Sequence, residues 1–343
     1  MQAVVIHAAR DIRIEDAAPP SVGPAEVAVR IGAGGICGSD LHYYQDGGFG
    51  AVRLRESMIL GHEVAGTVTE VGAEVTHVAP GDKVAVNPSR PCNACRFCWA
   101  GQSNQCLDMR FYGSAMRMPH VQGGFRQELV CDGAQAVRVP PGLPLTSAAF
   151  AEPLAVCLHA ARQAGPLLGR RVLVTGAGPI GMLAMLAARH AGAQEVVMTD
   201  LVDTPLAMAL RLGADAAYNM RSDPGALDRF LPDKGYFDAV FEASGSVAAL
   251  TSALGVVRPG AVIVQVGLGG DAALPLNVLV AKEITLRGTF RFHEEFALAA
   301  EVIGSGRIDV APLLTEVLPM ANATEAFDLA ADRTRAMKVQ LAF

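Results

Sequence analysis

Aromatic residues are scarce in this chain of 343 residues, at 6 %. Basic runs are scarcer still: no stretch of Lys and Arg exceeds a pair such as Arg170-Arg171, and the formal charge is −6. A polyanion such as nucleic acid needs a basic face, so that class of partner is set aside. No stretch approaches about 18 uninterrupted apolar residues, so no membrane-spanning helix is expected. The N-terminal stretch carries Asp11, Glu15 and Asp16 and no long apolar run. No signal peptide is therefore expected, and a cytoplasmic location is. In such a chain seven cysteines point to metal ligation rather than disulfides.

What is plentiful is apolar residue and glycine, 51 % and 36 residues. The length predicts about two domains, and that apolar content fills two cores. Many glycines beside Val and Ala suit an α/β protein with tight turns.

The N-terminal third reads as β. Ala3–Ile6 and Ile12–Ile14 predict a hairpin broken off by Pro19-Pro20, and Glu26–Ile31 alternates as a half-buried strand does. Val64–Gly72 and Lys83–Val86 are further strands, the second after the turn Pro80-Gly81-Asp82. Many short strands with Gly and Pro turns predict a small barrel or sandwich.

Two cysteine patterns sit in this region. Cys37-Gly38-Ser39-Asp40-Leu41-His42 is followed by Gly61-His62-Glu63. A Cys, a His and a Glu from two segments hold one zinc ion and leave a position open, the layout of a catalytic rather than a structural site. Cys37 alone would read as an inert buried thiol, and His62 alone as a core histidine. Their pairing with Asp40 and Glu63 reverses both. Further on, Cys92-x2-Cys95-x2-Cys98-x7-Cys106 offers four thiolates, which close a tetrahedral structural zinc site in a loop-like lobe of about 88–110. Met109–Gly113 and Gly123–Phe125 line a pocket or simply pack. Glu152 stands alone in the apolar helical run that opens at Phe150. It partners a metal or its water, or it faces a helix dipole.

The pattern changes at Arg171. Val172–Thr175 is a continuous apolar strand, Gly176-Ala177-Gly178-Pro179-Ile180-Gly181 follows at once, and a helix opens behind it. Asp200 ends the next strand, about twenty residues on. Gly176 allows the tight turn, Gly178 admits a pyrophosphate to the backbone, and Gly181 lets helix and strand pack closely. The helix N-terminus meets the phosphates. Asp200 accepts hydrogen bonds from a ribose and repels a 2′-phosphate, and Leu201 rather than Arg follows it. NAD is expected over NADP. Strand and helix then alternate to a sixth strand at Ile284–Arg287, including a turn at Arg258-Pro259-Gly260 and the strand Ala261–Val266. That is a complete doubly wound sheet. The tail from 292 holds two helices and a last strand, Ala336–Leu341, expected to return to the N-terminal domain.

These motifs together resemble the zinc-containing medium-chain dehydrogenases, and the resemblance covers essentially the whole chain. Gly35–Asp40, Gly61-His62-Glu63 and Glu152-Pro153-Leu154 are similar to the polyol branch, sorbitol dehydrogenases included. Met109–Met116, Phe150–Val156, Lys234–Asp238 and Ala336–Phe343 are most similar to its sugar-acid-oxidising members, which act on L-idonate. The resemblance implies a GroES-like β-barrel catalytic domain (1–149), a Rossmann domain (150–291) and a return to the first (292–343). It implies a cytoplasmic homo-oligomer, dimer or tetramer, with two zinc ions per chain, and NAD(P)-linked oxidation of a small sugar acid or polyol. Cys37, His62 and Glu63 match catalytic zinc ligands, and Glu152 matches a carboxylate that ligates the ion or holds its water. Ser39 and His42 match a proton relay, and Asp40 the group that orients the ligand His. Gly176, Gly178, Pro179, Ile180, Gly181 and Asp200 match the cofactor-binding positions. Tyr43 and Arg291 match substrate contacts. Arg53, Arg55, Arg110 and Arg117 join Arg291 as candidate cations for a substrate carboxylate. Glu152 replaces the Cys that alcohol dehydrogenases often use as third ligand. The four-cysteine lobe, which some sorbitol dehydrogenases lose, is complete. Phe292 stands where relatives carry Tyr, which removes one polar substrate contact.

Overall fold

The computed structural model describes residues 1–18 and 21–343; Pro19-Pro20, expected to break off the first hairpin, lie outside the described residues. The chain divides into two compact units, Met1–Glu152 with His293–Phe343, and Pro153–Phe292.

In chain order the elements that position the sites begin with β1 (Gln2–Ala8), β2 (Asp11–Asp16), β3 (Glu26–Gly35) and α1 (Gly38–Asp46). Then come β4 (Glu63–Val71), β5 (Lys83–Val86), β6 (Glu128–Asp132), β7 (Ala136–Arg138) and α2 (Ala151–Ala164). The second unit carries β8 (Arg171–Thr175), α3 (Pro179–His190), β9 (Glu195–Asp200), β10 (Ala216–Asn219), β11 (Phe237–Glu242), α4 (Val247–Val256), β12 (Val257–Gln265), α5 (Leu276–Ala281) and β13 (Thr285–Gly288). The tail adds α6 (Glu295–Gly304), β14 (Leu314–Pro319), α7 (Ala323–Ala331) and β15 (Lys338–Ala342).

In the first unit, β1 and β2 pair antiparallel with Val4 opposite Ile14. The main sheet has seven strands in the order β7-β5-β4-β3-β15-β14, with β6 also on β3. β3 is its centre: Gly35 lies opposite Glu63 of β4, and Gly34 opposite Leu341 of β15. Alternation buries Val27, Val29 and Ile31 on one face of β3. They join Val64, Leu129, Phe327, Val339 and Leu341 in one cluster. Phe125 lies at the middle of the apolar set, with Phe327 edge-on at 6.4 Å and Phe343 at 5.9 Å between ring centroids.

The second unit is a six-stranded parallel sheet in the order β10-β9-β8-β11-β12-β13. That is the doubly wound order, with its switch point between β8 and β11. Leu173, Val197, Phe237, Val240, Leu250, Leu254 and Ile263 form its core. Asp238 ties one end of the sheet together, accepting from the Arg171 amide at 2.7 Å and from Arg258 Nε at 2.5 Å.

Two expectations shift, and one element is new. The turn expected at Arg258-Pro259-Gly260 lies inside β12. Phe237 pairs with Val257 and Ala239 with Val262, so the three residues bulge out of a strand that continues on both sides. β4 starts at Glu63 and so takes in the last residue of Gly61-His62-Glu63. The segment after Cys37 is a helix, α1, whose apolar periodicity is too weak to announce it. Its ends are fixed by caps instead: Cys37 and Asp40 form a capping box, and Gly47 closes it in the left-handed region.

Candidate metal centre and dinucleotide site

β3 ends two residues before Cys37, and β4 begins one residue after His62. Pairing of these strands therefore brings the two segments side by side. Asp40 fastens them. One carboxylate oxygen accepts from the Cys37 amide at 3.0 Å, the other from the Gly61 amide at 3.2 Å, and the side chain is fully buried.

The donor atoms of Cys37, His62 and Glu63 all lie within 4.8 Å of one another. His62 and Glu63 are buried. Glu63 Oε2 lies 2.5 Å from Lys338 Nζ, whereas His62 Nδ1 has no hydrogen-bond partner, Asp40 Oδ1 at 3.8 Å being too far to be one. Buried polar atoms are seldom left so. A thiol, an imidazole and a carboxylate facing one point form the donor set of zinc.

The electrostatics agree. Burial first, then Glu63, pushes the Cys37 thiol up to about 12. Burial pushes Glu152 up to about 8, with Glu63 and Cys37 adding to it and His62 opposing. Asp40 is also raised by burial. The pocket holds more acids than it ionises by itself, and a divalent cation is the partner that releases their protons. Glu152, in the first turn of α2, is buried and interacts electrostatically with this group, but it is not among the three donors within 4.8 Å.

One residue at this centre escapes the sequence reading. Lys338 of β15 is buried, and its Nζ donates to Glu63 Oε1 at 2.7 Å and to the Ile36 carbonyl at 2.9 Å. Burial alone would lower its pKa, but Glu63 and Cys37 outweigh that and hold the ammonium above its ordinary value. The signal was present: a charged residue at an inward position of the strand run Met337-Lys338-Val339.

On α1, Ser39 is half-buried and His42, one turn on, is exposed with Nδ1 3.6 Å from Asp46. Tyr43 faces the core instead. It packs on Phe49, and its hydroxyl accepts from the Ala115 amide at 3.0 Å. Arg53, Arg55 and Arg110 are exposed, and Arg117 is paired with Asp108. In the second unit Arg291 has a left-handed backbone and lies over the Phe290 ring, 5.0 Å from its centroid.

The Cys92, Cys95, Cys98 and Cys106 sulfurs also lie within 4.8 Å of one another. Cys92 and Cys106 are 3.4 Å apart and Cys95 and Cys98 3.6 Å, close to the roughly 3.8 Å edge of a tetrahedron with zinc–sulfur bonds of about 2.3 Å. Backbone amides point at the sulfurs. Amides of Cys98 and Leu107 pull Cys95 down to about 6, and the Ala94 amide lowers Cys92. Cys98 is pushed up to about 12, by burial and then by its neighbours Cys95 and Cys106. All seven cysteines are free thiols.

The second unit places Gly176-Ala177-Gly178 between β8 and α3. Gly176 has a φ of 89°, a conformation open to glycine. A Cβ on Gly181 would meet the Gly176 carbonyl oxygen at 1.8 Å, so the helix approaches the turn only without a side chain there. Pro179 and Ile180 form the first turn of α3, whose N-terminus faces the turn. Asp200 ends β9 beside it. One carboxylate oxygen accepts from the Ala177 amide at 2.7 Å and the other from Leu201 at 2.7 Å and Val202 at 3.1 Å. Asp200 thus shapes the turn as well as standing beside it.

The family described as "Alcohol dehydrogenase GroES-like domain" matches residues 23–141, and "Zinc-binding dehydrogenase" matches residues 179–305. The chain is 45 % identical over 316 residues to "L-idonate 5-dehydrogenase (NAD(P)(+))" of Escherichia coli (strain K12), covering 92 % of this chain and 91 % of that one. The chain belongs to the zinc-binding dehydrogenases. It is 35 % identical over 335 residues to "Sorbitol dehydrogenase" of Gallus gallus, covering 95 % and 92 % of the two chains. The crystal structure of the Escherichia coli L-idonate 5-dehydrogenase superposes with a TM-score of 0.93 at 42 % identity, over 100 % of this chain and 98 % of that one. As a zinc-binding dehydrogenase the chain is an oxidoreductase, with a GroES-like first domain and a doubly wound second. No helix of the described residues is long and apolar enough to cross a membrane.

Proposed function

We propose that this dehydrogenase oxidises a secondary hydroxyl of a sugar acid with NAD(P) as acceptor, L-idonate to 5-keto-D-gluconate first, and that the reaction runs in both directions. The observation that carries the reading is the convergence of Cys37, His62 and Glu63 within 4.8 Å. The substrate rests on the likeness to proteins named L-idonate 5-dehydrogenase from Escherichia coli and Vitis vinifera, at 45 % and 35 % identity.

A catalytic zinc would be held by Cys37 and His62, with Glu63 or Glu152 completing the set. When bound, it supplies a Lewis acid that makes a substrate hydroxyl easier to deprotonate. A nicotinamide cofactor, when bound, would supply the hydride acceptor. The chain's own residues do the rest. Asp40 fixes the spacing of the two ligand segments. Ser39 accepts the hydroxyl proton, and His42, one turn outward and exposed, passes it to water. Lys338 holds Glu63 in place by donating to its Oε1. The turn from Gly176 to Gly181 receives the pyrophosphate, and Asp200 beside it favours NAD over NADP. A second zinc would sit in the Cys92, Cys95, Cys98 and Cys106 lobe and hold it folded.

The assembly is a homo-oligomer, dimer or tetramer. β13 is an edge strand exposed along its whole length, and Leu276 and Val280 of the preceding helix are exposed. An unpaired sheet edge beside exposed apolar side chains calls for a partner, and a second copy supplies one. Free thiols throughout fit a reducing cytoplasm. Initial rates with L-idonate, sorbitol, xylitol, galactitol and threonine, each with NAD and NADP, test the assignment. L-idonate should give the highest kcat/KM; a polyol that outruns it would move the enzyme to the sorbitol dehydrogenases.

A further inference from the structure

Lys338 is the single lysine or arginine among the buried residues of the described chain. Its charge is placed with care. Glu63 Oε1 is its hydrogen-bond acceptor at 2.7 Å. Glu63 Oε2 lies 2.5 Å from the same Nζ, yet has no hydrogen bond of its own and belongs to the carboxylate whose donor atom converges with Cys37 and His62. The pair has been given room. A Cβ on Gly35 would meet Glu63 Oε2 at 2.1 Å and Lys338 Cε at 3.0 Å, so Gly35 is what admits it. Two strands far apart in sequence, β4 and β15, meet across β3 to make it.

We propose that Lys338 is a positioning residue that shares Glu63 with the metal: it holds one carboxylate oxygen and half-neutralises the other, so that Glu63 is a weak, partial ligand and the ion stays electrophilic. This rests on the reading that Cys37, His62 and Glu63 face a zinc ion. An ion held by Cys37, His62 and Glu63 without a counter-cation would be bound tightly and would be a poor Lewis acid. Lys338 gives up metal affinity in exchange for acidity at the metal. The sign of that trade separates it from a merely structural lysine. Loss of a structural residue loosens the site, whereas loss of Lys338 should tighten it.

The test is Lys338→Met, with zinc affinity measured by competition against a chromophoric chelator and coordination read from the visible bands of the cobalt-substituted protein. Wild-type protein is measured first. If it binds one ion only, in the four-cysteine lobe, the metal reading itself fails. If it binds two, the variant should hold the second at least roughly tenfold more tightly. One unit charge removed beside a ligand changes an ion's energy by more than a factor of ten in binding, even at the high effective dielectric of a protein. Its cobalt bands should weaken toward those of a higher coordination number, and kcat should fall although zinc is held better. Equal or weaker zinc binding with unchanged cobalt bands would overturn the proposal. Should Lys338→Met not fold, Glu63→Gln is compared with the double variant Glu63→Gln/Lys338→Met, which removes both buried charges. The double variant should bind the ion at least roughly tenfold more tightly than the single one, by the same charge argument; equal affinities would overturn the proposal.

Discussion

Asp40→Ala probes how the metal centre is assembled. The carboxylate bridges the amides of Cys37 and Gly61 at 3.0 and 3.2 Å, in full burial. Removing it leaves two buried N–H groups without acceptors, at about 1–3 kcal/mol each. Asp40 is itself held above its ordinary pKa by burial, so its loss returns part of that, and we expect a net destabilisation of about 2–4 kcal/mol. For a unit of this size that is a fall in Tm of about 5–15 °C. The effect on zinc is separate. With the two segments no longer pinned, Cys37 and His62 lose their fixed spacing, and affinity for the second ion should drop about 10–100-fold. Asp40→Asn keeps one acceptor and presents a donor to the other amide. It should therefore fall between wild type and Ala in stability while losing zinc affinity like Ala. Differential scanning calorimetry and chelator competition read the two effects. An Asp40→Ala protein that matches wild type in both Tm and zinc affinity would refute the reasoning.

Asp200→Ala should narrow the ratio of kcat/KM for NAD over NADP. It should also weaken both cofactors, since the same carboxylate holds the Ala177 amide; an unchanged ratio would remove the basis for preferring NAD. Asp238→Asn should destabilise the second unit by about 1–3 kcal/mol at pH 7, because the Arg171 amide and Arg258 lose a charged acceptor. Burial alone would raise Asp238, but the Arg171 amide and Arg258 outweigh it and hold the carboxyl below the usual carboxylate range. Its contribution is thus complete above the unfolded pKa of about 3.9 and is lost as pH falls through the lower folded value. Urea unfolding of wild type and variant should show a gap that is constant at neutral pH and closes below about pH 4; a gap that widens on acidification would contradict this. Cys95→Ser should release the lobe zinc and expose the lobe to limited proteolysis, while chelator competition still finds the ion at Cys37.

The glycine-rich turn and the four-cysteine lobe were legible because each is local. Gly176 to Gly181 and Cys92 to Cys106 carry their chemistry in spacing alone, and neighbouring strands signal the context. Cys37 and Gly61-His62-Glu63 were legible as a pair because few other roles suit those residues together. What was hidden depends on distant strands. Lys338 reaches Glu63 from 275 positions away, and no local pattern tells which strand will lie beside which. α1 was missed because the helix has no strong apolar face, although its capping box was there to be found. The same helix explains Tyr43. The resemblance made it a substrate contact, but only the helical phase shows that the ring points to Phe49 and the hydroxyl to Ala115. At Arg258-Pro259-Gly260 a turn was expected and a bulge inside a strand is found, because the two share that composition.

The central claim is that His62 helps hold a zinc ion without which no hydroxyl is oxidised. Elemental analysis of purified wild type and His62→Ala, with NAD-linked L-idonate oxidation and NADH binding measured on the same samples, tests it directly. Wild type should carry two zinc ions per chain, and the variant one, with turnover lost and NADH still bound. A variant that retains both ions, or that turns over L-idonate at the wild-type rate, would contradict the account.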